Sequence, residues 1–310
     1  MTPLKDKIQD VMDESRMLVL GAEILVGFEF TATFQDRFPS LPAVVQNANT
    51  AALVCMLIVL AFLIAPGAYH QIATEGNDRI ELHRFSTRIM DAALLPFALG
   101  LGTTVYIPAS QTTGANTAAA LAIATVILAA AFWYGPATLS KPKELDAMKP
   151  HPDEPAATTS LHDKIRQALT EARVIIPGNQ ALLGFQFAVI LQRGFAELAP
   201  WLKWVHLVSL LVITLSTILL MTPAAFHRIA EHGEETDRFY RVTHIMVLSS
   251  LPLLALGVCG DLFIVLFKVS SSFVLSLTGG VSMLALFIGL WFGYTSWCRA
   301  RQPQTRIALA

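Results

Sequence analysis

Charge is what this chain has least of. Only 15% of its residues are Asp, Glu, Lys or Arg, against roughly 25% in an ordinary soluble domain. The formal net charge is −1 and no basic stripe runs along any segment, so nucleic acid is not an expected partner. The three cysteines, Cys55, Cys259 and Cys298, show no CxxC spacing. That argues against a disulfide framework or a zinc site and makes them small apolar fillers. There is no Gly-rich phosphate loop, no HExxH and no Ser-His-Asp order, so neither an enzyme nor a metal site is expected. No cofactor is expected either, because a bis-histidine haem needs two histidines at matched depth and no repeated pair inside the apolar segments supplies them. The start, "MTPLKDKIQDVMDESR", is charged without an apolar stretch and does not read as a cleaved signal peptide.

What the chain has in abundance is apolar length. It is 54% hydrophobic, with mean hydropathy +0.55. The apolar residues gather in blocks of about twenty, enough to cross a hydrocarbon core of about 30 Å at 1.5 Å per residue. Eight spans are predicted: 17–36, 48–67, 89–107, 117–137, 174–192, 204–222, 244–266 and 272–296. Strands of a membrane barrel would alternate over about ten residues, so the expected class is all-α and polytopic, with the lipid bilayer as first partner. Arg37, Arg193, Lys203 and Lys268 lie in the connections of one side, leaving 18 of the 22 basic residues on the other. The positive-inside rule then places both termini in the cytoplasm. Trp201 and Trp204 fall toward the outer face, and Trp133 and Trp291 toward the inner, as an aromatic belt would place them.

The chain is written twice. "LKDKIQDVMDESRMLVLGAEILVGFEFTATFQDRF" lies over "LHDKIRQALTEARVIIPGNQALLGFQFAVILQRGF" at an offset of 157, with 13 of 35 positions identical and no gap. The register continues through "APGAYHQIA" and "TPAAFHRIA", and "FWYG" (132–135) matches "LWFG" (290–293) after short slips. Internal repeats of this length mark the architectural unit. Residues 1–139 form a first four-helix repeat, 140–160 a Pro-rich charged linker, and 161–310 a second repeat. Four spans per copy is an even number, so the repeats run parallel. Each opens on an amphipathic segment, Leu4, Ile8, Val11 and Met12 in one and Leu161, Ile165, Ala168 and Leu169 in the other, expected to lie on the inner membrane surface.

On "EAR…PGNQALLGFQF" (Glu171–Phe187) and the Pro-x-Ala-aromatic-His-Arg stretch Pro223–Arg228, the sequence resembles a family of small bacterial membrane proteins known only as a domain of unknown function. The first copy departs from that pattern with Leu20 in place of Pro177 and Gln71 in place of Arg228. The resemblance covers the whole chain, twice. It implies the four-helix unit and a bacterial plasma membrane, and is silent on chemistry.

Residues shared by the two first spans fall on two stripes. Gly21, Leu25, Phe28 and Gln35 match Gly178, Leu182, Phe185 and Gln192, while Arg16, Gly27 and Phe30 match Arg173, Gly184 and Phe187. A helix restricted on both faces is expected to be packed on both, so these two helices are placed centrally, with glycines allowing close approach. Glu23 and Glu29 lie on this helix, Glu29 close to mid-span. Gln180 and Gln186 stand over them in the second copy. Glutamine has nearly the shape and hydrogen-bonding capacity of a protonated Glu but cannot release a proton. These four residues are either an intramembrane proton or cation site, since ionisable residues there are costly and usually functional, or interhelical hydrogen-bond links. His70 and His227 follow the proline expected to end the second span of each copy and form a second, interfacial candidate site, as caps, headgroup contacts or pH sensors. Asp261 has no acidic counterpart, and no pathway through it is expected.

Two functions are carried forward. One is a transport or channel-like protein for protons, small cations or a small solute. The other is a non-catalytic scaffold or sensor reading lipid, pH or a partner.

Overall fold

The computed structural model of the chain describes residues 4–77, 79–139, 160–231 and 236–301. Among them are eight long helices: α1 (Leu4–Ala32), α2 (Ala43–Ile72), α3 (Ile80–Thr112), α4 (Ala115–Leu139), α5 (Leu161–Ile190), α6 (Pro200–Ile229), α7 (Asp237–Ser270) and α8 (Phe273–Arg301). No strand occurs among the described residues. The linker expected at 140–160 lies outside them, apart from Ser160.

Local chemistry accounts for several boundaries. Side chains of Ser160, Thr236 and Ser272 accept from the backbone N–H three residues on, meeting orphan donors at the starts of α5, α7 and α8. The tight turn between α3 and α4 puts Gly114 at φ 87°, where a side chain would be strained. Pro66 and Pro223 do not end their helices. α2 and α6 continue past them to Ile72 and Ile229, as membrane helices often do when neighbours steady the freed backbone.

Six helices, α2, α3, α4, α6, α7 and α8, are long and apolar enough to cross a membrane. α1 and α5 fall short because Glu23 and Glu29, or Asn179, Gln180 and Gln186, dilute them. These two occupy the middle. α1 packs against α2, α3 and α5, and α5 against α1, α6 and α7. One apolar core joins both repeats, running from Val19 and Phe30 through α2 to Leu254 and Trp291.

The repeats are not packed alike. α2 touches α7 and α8 of the second repeat, and the Trp291 indole Nε1 donates to the Ala61 carbonyl at 2.8 Å. Trp291 is fully buried and is no belt residue, contrary to the sequence expectation. Its counterpart Trp133 is half-buried and stacks on Phe97 at 5.8 Å. α6, the counterpart of α2, packs on α5 and α7 of its own repeat.

The amphipathic starts also depart from expectation. They continue α1 and α5 without a break, and Ile8 and Met12 are buried with Tyr69, Ala73 and Leu82. Their apolar face is covered by protein and is unavailable to a membrane surface. Lys164 Nζ donates to the Glu75 carbonyl at 3.2 Å and Arg299 pairs with the Glu75 carboxylate. The starts of both repeats, the α2–α3 connection and the end of α8 therefore meet at one charged end of the bundle.

Candidate functional site

Glu29 sits one turn before the end of α1, away from mid-span and toward the end opposite the charged one. It is buried, and Thr104 Oγ1 on α3 donates to its Oε1 at 2.8 Å. From α2, Asn49 Nδ2 donates to the Glu29 carbonyl at 2.9 Å and to Thr33 Oγ1 at 3.2 Å.

The second repeat builds the same site from different residues. Gln186 is buried on α5, and its Nε2 donates to Asp261 Oδ2 on α7 at 2.7 Å. His206 on α6 places Nε2 3.1 Å from the Gln186 carbonyl. A carbonyl only accepts, so Nε2 carries the proton and a neutral ring leaves Nδ1 as an acceptor. That Nδ1 lies 4.0 Å from Asp261 Oδ1, and neither atom has a hydrogen-bond partner among the described residues. Phe30 stacks on the ring at 6.0 Å and Phe195 meets it edge-on at 5.1 Å.

At the offset of 157, Glu29 lies over Gln186, Asn49 over His206 and Thr104 over Asp261. The acid has changed helices between copies: α1 holds it in repeat one, and the third helix holds it in repeat two. Asp261 thus has a partner that its lack of an acidic counterpart concealed. Asn49, Thr104 and His206 were missed as site residues. Aligning the copies for polar residues of any type in the second and third spans would have found them.

The four residues expected to act together are separated. Glu29 and Gln186 belong to two equivalent sites, one in each repeat. Glu23 is buried where α1 crosses α5, beside Gly178, where a Cβ would overlap its carboxyl. Gln180 is exposed and joins no site. Glu23 and Gln180 hold the same place on their helices, so an unsymmetrical crossing buries one and leaves the other outside.

The proline before each histidine is not a helix end. His70 lies within α2, two residues from its last, and is buried in the protein near the charged end. Its Nδ1 lies 3.2 Å from Glu171 Oε1 on α5, and Gln71 Nε2 donates to Glu171 Oε2. The cause is that α2 continues past Pro66, which carries His70 into the seam between repeats. His227 is half-buried, its ring 4.6 Å from that of Phe239. Among the described residues no group of three His, Cys, Asp or Glu side chains is arranged to hold a metal ion.

Residues 4–136 and again 157–295 match the profile described as "Family of unknown function (DUF6328)". The chain belongs to this family. It carries the DUF6328 unit twice in tandem, as the resemblance implied. No curated protein and no solved structure matches the chain.

Proposed function

We propose that this DUF6328 protein is a transport or channel-like protein for protons, small cations or a small solute. It crosses a bacterial plasma membrane eight times with both termini cytoplasmic. α1 and α5 supply the two spans beyond the six strongly apolar ones. At 29 and 30 residues they are long enough to cross, and neighbouring helices shelter their polar groups. The charged end, where the helix starts and the α2–α3 connection meet, carries the basic excess that the positive-inside rule assigns to the cytoplasm.

One observation carries the reading. Glu29–Thr104 in repeat one and Gln186–Asp261 in repeat two keep one carboxyl each at the same point, although the acid has moved to another helix. A link with only a structural role would be served by amide and hydroxyl alone, without the cost of an ionisable group in the membrane. In repeat two the acid also faces an imidazole, a second group able to exchange a proton. The scaffold or sensor reading drew on the amphipathic starts and on His70 and His227. It is less favoured because Ile8 and Met12 of one start and Ile165 and Ala168 of the other are buried.

The test is flux in proteoliposomes across proton and cation gradients. Wild type is expected to conduct, and Asp261→Asn and Glu29→Gln to lose most of that flux while remaining folded. Equal inertness of wild type and both variants across every gradient overturns the reading.

A further inference from the structure

The paired sites leave one acid without a role. Glu23 is 0% exposed, and neither of its carboxyl oxygens has a hydrogen-bond partner among the described residues. A buried polar group left unmet is costly, and here the helix crossing opens space for it through Gly178. Ser15 Oγ on α1 donates to the Leu63 carbonyl on α2, and Asn49 on α2 meets Glu29. Those two contacts set the relative register of the helices and put Glu23 level with about residue 55, near the middle of α2.

A second observation points at the same carboxyl. At the charged end, α1 and α5 enclose a polar cavity of about 400 Å³ bordered by Asp13, Arg16, His70, Glu171 and Arg173. It shares Met12, Arg16 and Glu171 with an apolar recess of about 40 Å³ that runs farther along both helices. This space has the volume of a water but polar partners only at groups such as Arg16, Gln71 and Glu171. The recess reaches Val19 on α1 and Ile175 on α5. Glu23 is four residues beyond Val19, and Gly178 three beyond Ile175, so the carboxyl lies about one turn, or roughly 6 Å, past the recess.

We propose that the seam between α1 and α5 is a proton-access route from the charged end, and that Glu23 is the proton-binding group at its inner end. The inference deepens the transport reading, on which it rests, by naming the cargo taken up along this route. Hard cations such as Ca²⁺ need six or more oxygen ligands. Glu23 is a single carboxyl, with no cluster of metal-binding side chains among the described residues. It suits one proton: an O–H bond forms on a Glu23 oxygen as hydronium releases its proton and becomes water, and the step reverses on release.

The charged and titratable groups along the route are Asp13 and Arg16 on α1, Asp163, Arg166, Glu171 and Arg173 on α5, and His70 on α2, with His244 on α7 beside Gln71. His244 Nε2 lies 3.2 Å from the Gln71 carbonyl. Arg16 pairs with Asp13, and Glu171 with His70 and Gln71. Those on α1, α2 and α5 border the cavity at the mouth, and none is a hydrogen-bond partner of Glu23. On the opposite side lie Glu29 and Asp261, each held within its own repeat.

Infrared spectroscopy of the full-length protein in liposomes tests the route. Buried Glu29 and Asp261 can contribute protonated-carboxyl bands of their own. Glu23 is therefore read as the component present in wild type and in Glu29→Gln and missing from Glu23→Gln in the difference spectrum. That component is expected to shift on transfer to D₂O. Val19→Phe and Ile175→Phe, which plug the recess, should slow that exchange by about tenfold or more, the effect of an added barrier of about 1.4 kcal/mol. If both fail to fold, mass-mapped labelling of Val19→Cys by a charged thiol reagent replaces them, with modification expected. The route is overturned if Glu23→Gln removes no component of the carboxyl band, if the component it removes does not exchange, if exchange is equal in plugged and wild-type protein, or if position 19 is not labelled. Exchange at Glu23 without flux in wild type would remove the transport reading and leave the access route standing. Undiminished flux in Glu23→Gln would remove the route and leave transport standing.

Discussion

Repeat one and repeat two share a register of 157 residues, yet α2 is 67% buried across its most apolar window and α6 only 33%. The difference is one of partners. α2 is flanked by its own repeat and by α7 and α8 of the other, whereas α6 has its outer face unpartnered. Ala61, fully buried on α2, corresponds to Ile218, which is 55% exposed on α6. Small residues occur where helices meet, and bulky apolar ones where lipid tails are the neighbour. Duplication supplied two copies of one helix set, and unsymmetrical packing then gave equivalent positions different surroundings.

The sharpest break of that comparison comes from the buried aromatics. Trp291→Ala should cost about 3–5 kcal/mol in a denaturant titration of the detergent-solubilised protein, and Phe30→Ala a similar amount. Their counterparts Trp133 and Phe187 are half-buried and 62% exposed respectively. Phe187→Ala should cost no more than about 0.5 kcal/mol and Trp133→Ala an intermediate amount. Equal costs within either pair would mean the repeats pack symmetrically.

A smaller effect is expected at the helix crossing. Gly178→Ala places a methyl where the Glu23 carboxyl sits and should destabilise by about 1–3 kcal/mol. Gly21→Ala, the equivalent change in repeat one, meets nothing within 4 Å and should be neutral within about 0.5 kcal/mol. Thermal unfolding of the two variants side by side checks this, and Glu23→Ala should relieve Gly178→Ala if the carboxyl is the obstacle.

The smallest change sharpens the comparison most. Glu29→Gln combined with Thr104→Asp transplants the repeat-two pair into repeat one and should leave stability within about 1 kcal/mol of wild type, since one hydrogen bond replaces another. Thr104→Ala alone removes the described side-chain partner of the Glu29 carboxyl and should cost about 1–3 kcal/mol. A double variant less stable than Thr104→Ala would show that the two sites are not equivalent.

Much of the architecture was legible because it follows from composition and periodicity. Apolar blocks of helical length marked the helices, and the offset of 157 marked the repeat. The polar pairs were half legible: Glu29 over Gln186 stood out, but Thr104 over Asp261 did not, because a hydroxyl and an acid share no residue class. The pairing of His70 with Glu171 was not legible because a helix that continues past Pro66 cannot be told in sequence from one that stops there. The amphipathic starts were read as membrane-surface segments because an apolar stripe looks the same whether lipid or protein covers it.

By itself the sequence determined an all-helical chain, its apolar lengths and its duplication, since each depends on residues near one another along the chain. Which copy of a repeated residue is buried was decided only in three dimensions. Glu23 is sealed and Gln180 exposed, and Trp291 is enclosed while Trp133 is half-open. Identical positions in two repeats carry the same local information, so only the contacts between repeats distinguish them.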